Sequence, residues 1–346
     1  MCTSFTIRST TGDIVYGRTL EFTLPLHSVP IVFPQGITRT ATGLAGQPGV
    51  GGLTWETTHA AVGMNAVGLE IILDGVNDAG LVAAAFNFPV SAEYVAVTPE
   101  QEAQAVACHE IGTYLLTTCA NVAEVRTALA AVPVHGPHMA AYGGQVPMLH
   151  YSIHDAQGHS LAVEWVNGEL MIHDNPTTVL TNEPPFPMQI AHLAEYAYLS
   201  PAPPAPIELD GMTLQAPSSG GGMQSIPGGF LASNRFVRAF WAARCVPAFA
   251  TADEGVQFAR HILNGFDIPP GSVLTPVDQG ESGGQAGWEM TEWSCMADCS
   301  NRVFYVNQFA HQGWTRIDLA RVAAGLTTPT RLPLPAEDRF LELTTR

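Results

Sequence analysis

The sequence predicts an α+β protein with a four-layer αββα architecture, in which two sheets face each other and helices cover the outer faces. Three observations support this fold class. Strand patterns dominate residues 1–90, and helical patterns follow them. Both kinds of pattern then recur, giving the order strands, helices, strands, helices, strands. Tight-turn signals at 155–158 and at Asn167-Gly168 join neighbouring strands into hairpins.

Each element has its own local signal. Alternating apolar and polar residues predict a strand at 2–8, and Thr11-Gly12-Asp13 turns the chain into a partner strand at 14–22. Thr98, Pro99 and Gln101 have the spacing of a capping box, which predicts a helix from there to about residue 118. Further strands are predicted at 29–33, 80–88, within 148–181 and within 288–308, and further helices from residue 121, at 233–244 and at 251–265. A short amphipathic element is expected beyond residue 317.

We predict a single domain over residues 1–346, interrupted by a long excursion. Residues 201–229 are rich in proline, glycine and serine, and a loop of that length is usually functional or disordered. The Gly220-Gly221-Gly222 run within it lacks the Gly-Lys-Ser/Thr ending of a phosphate-binding loop. Nucleotide binding is therefore not expected.

Composition excludes several classes of function. A hydrophobic fraction of 46% and a charged fraction of 13% are typical of a globular chain with an ample core. The 14 basic residues against 31 acidic ones give a net charge of −17, which repels phosphate backbones and disfavours nucleic-acid binding. No apolar run approaches the ~20 residues that span a bilayer, so no membrane partner is expected.

The N-terminus and the cysteines indicate the compartment. No basic segment followed by an apolar segment precedes the first strand, so we expect a cytoplasmic protein. The six cysteines are then expected to be reduced thiols. Cys295 and Cys299 lack the paired spacing of a zinc site, and no metal is predicted.

The most informative residue is Cys2. Removal of Met1 would place a thiol and a free α-amine on one residue, so that Cys2 would carry both a nucleophile and its base. A cysteine at this position is more commonly a small residue near a chain end. The catalytic interpretation therefore needs support from other parts of the chain.

Arg18 and Glu21 lie on the strand predicted to pair with Cys2. A guanidinium beside a thiol favours the thiolate, and a carboxylate near an α-amine orients it through a charge-assisted hydrogen bond. An ordinary surface ion pair is the alternative.

Three more residues could complete the site. Asn182 follows a strand, where its amide could donate to an oxyanion, although an ordinary turn residue is the commoner interpretation. Asn87 interrupts an apolar strand and could supply a second donor from its backbone or its side chain. Arg235 begins a helix after the glycine-rich excursion and could equally be a solvated helical arginine. The papain-type cysteine context is absent, so His109, His150 and His154 are interpreted as hydrogen-bonded core or surface residues.

Taken in order, these segments resemble the choloylglycine hydrolase family, which contains penicillin V acylases and conjugated bile salt hydrolases. The resemblance runs from Met1 to about residue 310. It rests on the Met-Cys start, residues 17–22, Asp74-Gly75-Val76-Asn77, Asn87-Phe88-Pro89, Leu180-Thr181-Asn182, and Pro227-Gly228 followed by residues 235–238.

The resemblance implies an N-terminal nucleophile hydrolase with two antiparallel sheets, often a homotetramer, that cleaves linear amide C–N bonds without a cofactor. It implies that Cys2 is the nucleophile, that Arg18 and Arg235 flank it, and that the Asn182 side chain and Asn87 backbone hold the oxyanion. Glu21 stands where the family usually has aspartate. An inactive small-molecule-binding member of the same fold is the alternative of a different class.

The substrate is expected to be a small N-acyl amide. The Leu24-Pro25-Leu26 segment and the region of Phe86 are predicted to line an apolar acyl pocket. Residues 18–33 look closer to penicillin V acylases, whereas Asn87-Phe88-Pro89 looks closer to bile salt hydrolases. The prediction is a penicillin V acylase type of enzyme, with bile salts and N-acyl homoserine lactones as alternatives.

Overall fold

Two antiparallel sheets form the centre of the protein in a computed structural model, which describes residues 1–275 and 287–335. The smaller sheet has the order β1-β2-β17-β18-β19, and β16 pairs with β17. Its strands are β1 (Cys2–Arg8), β2 (Ile14–Phe22), β16 (Val273–Thr275), β17 (Gly287–Asp298), β18 (Val303–Gln308) and β19 (His311–Asp318).

The larger sheet has the order β13-β12-β11-β8-β7-β6-β3-β20, and all of its pairings are antiparallel. Its strands are β3 (Pro30–Phe33), β6 (Ala61–Met64), β7 (Asp74–Asn77), β8 (Val82–Asn87), β11 (Leu149–His154), β12 (Ser160–Val166), β13 (Glu169–Asp174) and β20 (Thr330–Arg331). Within the described ranges, three short strand pairs lie outside the two sheets: β4 (Thr38–Thr42) with β5 (Gly51–Glu56), β9 (Val106–Ala107) with β10 (Val134–His135), and β14 (Ile207–Leu209) with β15 (Met212–Leu214).

Helices cover the outer face of each sheet. The helices α1 (Ile111–Thr118) and α2 (Val122–Ala131) share one hydrophobic core with the larger sheet. The helices α4 (Ala232–Arg244) and α5 (Ala252–Asn264) pack on β1 and β2 of the smaller sheet, and α3 (Phe186–Ala194) packs against α4. A short helix, α6 (Leu319–Ala323), follows β19. The predicted αββα sandwich of two antiparallel sheets is confirmed.

Several local predictions also agree with the structure. Asn167 and Gly168 both have positive φ, 54° and 73°, as a type I′ hairpin turn between β12 and β13 requires. The side chains of Asn121 and Thr251 cap α2 and α5 by accepting from the backbone N–H of Glu124 and Glu254. Burying the apolar faces of these helices against the sheets then fixes them in place.

The predicted helix from Thr98 is wrong in its extent. The Gln101 side chain does accept from the Thr98 N–H at 3.1 Å, but the chain makes only a short 3₁₀ turn before β9. Val106 pairs in parallel with Val134, and that strand pairing replaces the helix until Ile111. Tertiary pairing overrides a local capping signal here. Other elements within the described residues were not predicted individually, among them α3, the β9–β10 pair, the β14–β15 hairpin and the strand β19.

Residues 201–229 are largely exposed and contain the β14–β15 hairpin. None of the helices within residues 1–275 and 287–335 is long and apolar enough to cross a membrane.

Candidate active site

The pairing of β1 with β2 places the Cys2 thiol and the Arg18 guanidinium on the same side of the sheet. Cys2 stands opposite Leu20 in the register, and Arg18 lies two residues from Leu20. Side chains two residues apart in a strand point to the same face, so both groups face the larger sheet. Glu21 is three residues from Arg18 on β2, so its side chain leaves the opposite face of the sheet, near Arg235 of α4.

Arg18 connects the sulfur to the opposite sheet. Its Nη2 donates to the Cys2 Sγ at 3.2 Å and to the Ala85 carbonyl at 2.6 Å, while Nη1 donates to the Asp74 carboxylate at 3.0 Å. The side chains of Arg18 and Asp74 are both fully buried. Burial by itself would lower the pKa of Arg18. The nearby Cys2 sulfur and Asp74 carboxylate raise it by more, so the net shift of the pKa is upward.

Asp74 belongs to the Asp74-Gly75-Val76-Asn77 segment of the family resemblance, but no local pattern indicated its role. The Tyr16 hydroxyl also donates to its carboxylate, at 2.6 Å. Burial raises the pKa of Asp74, and the Arg18 guanidinium opposes that rise.

Asn182 holds the backbone of Cys2. Its Oδ1 accepts from the Cys2 N–H at 2.7 Å and from Arg235 Nη2 at 2.9 Å, and its Nδ2 donates to the Asn87 carbonyl at 2.8 Å. Arg235 reaches this position from α4, where it also donates to the Cys2 carbonyl and to Thr3 Oγ1. An asparagine side chain with two amide hydrogens retains one for a ligand.

The backbone N–H of Asn87 lies on the edge of β8 that pairs with β7, at a point where β7 has already ended. The Ala85 N–H donates across that edge to the Leu73 carbonyl at 2.8 Å, and N–H groups two residues apart point the same way. Since β7 begins at residue 74, the Asn87 N–H points past the first residue of that strand. The Asn87 side-chain Nδ2 is buried and has no partner among the described residues.

Glu21 is buried beside α4, and it does not contact Cys2 directly. Its Oε1 accepts from Thr291 Oγ1 at 3.0 Å. Burial raises the pKa of Glu21, while the N-terminal ammonium and Arg235 oppose that rise. With Met1 in place, the carboxylate that binds the N-terminal ammonium is Glu289, at 2.6 Å. No motif in the sequence pointed to Glu289.

A cavity with mainly apolar walls opens beside the Cys2 sulfur. Its lining includes Leu26, Leu69, Ile71, Leu73, Met139 and Leu149. Of the segments predicted to form an acyl pocket, Leu26 lies in this wall, as do Ala85 and Asn87 on either side of Phe86. Leu24 and Pro25 line a separate groove, and Phe86 is buried beneath Arg18 with its ring centre 4.5 Å from the guanidinium carbon.

A second cleft begins at Met1, the residue before Cys2. Met1, Asn182 and Arg235 line it. Asn87 and Tyr142 border both spaces, so an extended molecule could occupy the two spaces with its central bond near the sulfur.

The three histidines interpreted above as hydrogen-bonded residues, His109, His150 and His154, differ in whether their ring nitrogens have partners. His150 contacts Glu164 and the Thr181 carbonyl through its two ring nitrogens, and His154 contacts two serine hydroxyls. Both match the prediction of hydrogen-bonded core residues. His109 does not, because its buried Nδ1 has no partner among the described residues. Within those residues, no group of three or more His, Cys, Asp or Glu side chains is arranged to hold a metal ion.

Known proteins resemble this chain in sequence over most of its length. The family model "Linear amide C-N hydrolases, choloylglycine hydrolase family" matches residues 2–324. A bile salt hydrolase/transferase from Clostridium perfringens (strain 13 / Type A) is 25% identical over 324 residues, which cover 92% of each chain.

Solved structures show the same fold. A mutant of the conjugated bile acid hydrolase from Clostridium perfringens aligns with a TM-score of 0.82 and 21% identity, covering 99% of this chain and 100% of that chain. Penicillin V acylase from Agrobacterium tumefaciens aligns with a TM-score of 0.76 and 22% identity, covering 97% and 92%. The predicted N-terminal nucleophile hydrolase fold is confirmed. The chain belongs to the choloylglycine hydrolase family and is a hydrolase of linear amide C–N bonds.

Proposed function

We propose that Cys2, exposed by removal of Met1, is the nucleophile of an amidase that releases an apolar acyl group from a small N-acyl amide. One observation carries the proposal. The Cys2 sulfur lies 3.2 Å from a buried guanidinium at the wall of an apolar cavity, and the Cys2 nitrogen is held by Asn182. A guanidinium at this distance stabilises negative charge on sulfur.

In the first half of the reaction, the freed α-amine of Cys2 takes the thiol proton, and the sulfur attacks the amide carbonyl carbon. Negative charge then develops on the carbonyl oxygen. The remaining Asn182 Nδ2 hydrogen and the Asn87 N–H are the donors proposed to bind it. Arg235 keeps the Asn182 amide in this orientation through its bond to Oδ1.

In the second half, the C–N bond breaks, and the protonated α-amine gives its proton to the leaving nitrogen. The acyl group remains on sulfur as a thioester. Water, deprotonated by the same α-amine, adds to the thioester carbonyl, and the carboxylic acid leaves as the thiol is restored. The cavity beside Cys2 would hold the acyl group, and the cleft lined by Asn182 would hold the amine.

We propose a phenoxyacetyl amide of the penicillin V type as the preferred substrate. The enclosed apolar wall beside the sulfur supports an aryl or alkyl acyl group. Bile salt deconjugation is the second candidate, favoured by the relative named bile salt hydrolase/transferase, which aligns over 92% of this chain. N-acyl homoserine lactones carry a similarly apolar acyl chain and remain an alternative.

A hydrolysis panel tests these substrates. Penicillin V, glycocholate, taurocholate and a long-chain N-acyl homoserine lactone are incubated with enzyme, and amine release is measured. We expect the highest kcat/KM for penicillin V, and a higher value for the bile salts would replace that assignment. No release from any substrate would instead support the inactive, ligand-binding alternative.

Processing is tested on the same sample by intact mass. We expect loss of one methionine residue and one fast alkylation at Cys2. Because Cys245 is partly exposed, alkylation is measured in a Cys245→Ser background. Retention of Met1 in an active sample would contradict the mechanism.

Asn182→Ala is expected to lower kcat by about 10²–10³-fold, because it removes a proposed oxyanion donor. Steady-state amine release measures the effect. Asn301→Ala, in the turn between β17 and β18, is the matched control and should leave kcat unchanged. An unchanged kcat in Asn182→Ala would remove this residue from the oxyanion site.

We also propose that the protein is a homo-oligomer in the cytoplasm. Four apolar side chains on the β14–β15 hairpin are about half exposed, which supports self-association: Ile207, Leu209, Met212 and Leu214. Light scattering coupled to size exclusion measures the mass, and a monomer at micromolar concentration would contradict the oligomer.

A further inference from the structure

His109 lines the same apolar cavity as the Cys2 sulfur. It lies in a 3₁₀ turn, Cys108–Glu110, directly before α1, and only 4% of its surface is exposed. The wall also contains Tyr142 and three polar residues close to Cys2, namely Arg18, Glu21 and Asn87. His109 is separate from them in the chain and in its contacts.

The His109 ring is neutral and incompletely hydrogen-bonded. Burial, followed by the neighbouring His135, lowers the pKa of His109 to about 3. A neutral imidazole carries one N–H donor and one acceptor nitrogen. Nδ1 is buried without a partner among the described residues, whereas both nitrogens of His150 and of His154 are bonded.

A buried polar atom without a hydrogen-bond partner lowers the free energy of unfolding. An apolar side chain of similar size at position 109 would avoid that cost. Nδ1 itself is enclosed, so a ligand in the cavity would meet the ring at Nε2, which also has no hydrogen bond within the described residues, and a ligand oxygen there would supply a partner that the ring lacks. The partner must lie within the part of the ligand that the apolar cavity holds.

We propose that His109 is a specificity residue that hydrogen-bonds to an oxygen within the acyl group of the substrate. This inference rests on the proposed function, which assigns the cavity to the acyl group. The substrate class is thereby narrowed to apolar acyl groups that carry an ether, hydroxyl or keto oxygen.

The test compares carboxylic acid products that differ by one oxygen. Phenoxyacetic acid is paired with 3-phenylpropanoic acid, 3-hydroxydecanoic acid with decanoic acid, and 3-oxodecanoic acid with decanoic acid. Calorimetry at neutral pH measures each Kd. In the wild-type protein we expect the oxygen-bearing acid of at least one pair to bind about tenfold more tightly, as one net hydrogen bond allows.

Variants assign that preference to His109. His109→Leu should abolish it without lowering Tm, and His109→Asn, which keeps a hydrogen-bonding nitrogen, should retain part of it. His261→Leu, on the exposed side of α5, should leave it unchanged. Equal binding within every pair in the wild-type protein, or the same preference in His109→Leu, would overturn the inference.

Kinetics separate this inference from the proposed function. If no N-acyl amide is hydrolysed but the preference for an oxygen-bearing acid depends on His109, the nucleophile proposal fails and the specificity role stands. If amides are hydrolysed and the kcat/KM ratio within each pair of amides is the same in His109→Leu, the specificity role alone fails.

Discussion

Cys2→Ala is expected to abolish amide hydrolysis, with kcat falling by at least about 10⁴-fold, as expected when a nucleophile is removed. The fold should persist, because Arg18 keeps its bonds to Asp74 and to the Ala85 carbonyl when the sulfur is gone. Amine release measures turnover, and circular dichroism measures the fold. Cys2→Ser should likewise fold and lose nearly all turnover.

Cys299→Ala is the matched control for this experiment. Cys299 is fully buried, burial raises the pKa of its thiol, and it does not line the cavity beside Cys2. Its loss should leave kcat unchanged. A Cys2→Ala protein as active as the wild type would exclude the proposed mechanism.

Asp74→Asn is expected to lower the free energy of unfolding by about 3–5 kcal/mol, because the Arg18 charge would remain buried without its counter-ion. An arginine cannot escape this penalty by losing its proton. Urea unfolding measures the change. The matched control is Glu70→Gln, which breaks an Arg39 pair of the same 3.0 Å length at the surface and should cost about 0–1 kcal/mol.

If Asp74→Asn and Glu70→Gln lose the same free energy of unfolding, burial does not determine the strength of the Arg18–Asp74 pair.

Replacing Arg18, the other member of the Arg18–Asp74 pair, should lower the free energy of unfolding less than Asp74→Asn does, and the loss should depend on pH. In Arg18→Met, burial raises the pKa of Asp74 without the guanidinium to oppose it, so the carboxyl can take up a proton. A raised folded-state pKa contributes stability below the unfolded value, which is lost as pH rises through the folded value. We therefore expect Arg18→Met to be more stable at pH 5 than at pH 8. A flat profile would contradict this account.

Local signals predicted the elements whose stability is decided within a few residues. The Asn167-Gly168 turn and the Asn121 and Thr251 caps are examples, since positive φ and a side-chain acceptor act over one turn of chain. The two-residue period of β2 likewise places Arg18 on the thiol side of the sheet. The helix predicted from Thr98 failed because β9 pairs with a strand nearly thirty residues later, as its register of Val106 with Val134 shows.

Strand pairing placed Arg18 near Cys2, but Asn182 and Arg235 could be assigned to the same site only through the family resemblance. Asn182 and Arg235 contact Cys2 from 180 and 233 residues away, and no periodicity reaches across such distances. The identity of the buried counter-ion of Arg18 and the missing partner of His109 had no signal at all. Both depend on which groups the two packed sheets bring together.

By itself, the sequence determined that a cysteine follows Met1, that its strand pairs with the strand of Arg18, and that the fold is a sandwich of two sheets. Only the tertiary structure decided which cation, carboxylate and amides surround the sulfur, and which wall of the cavity holds an unpaired nitrogen. The physical reason is that periodicity and capping act along one segment, whereas desolvation and hydrogen-bond partners are set by segments that meet only when the chain packs.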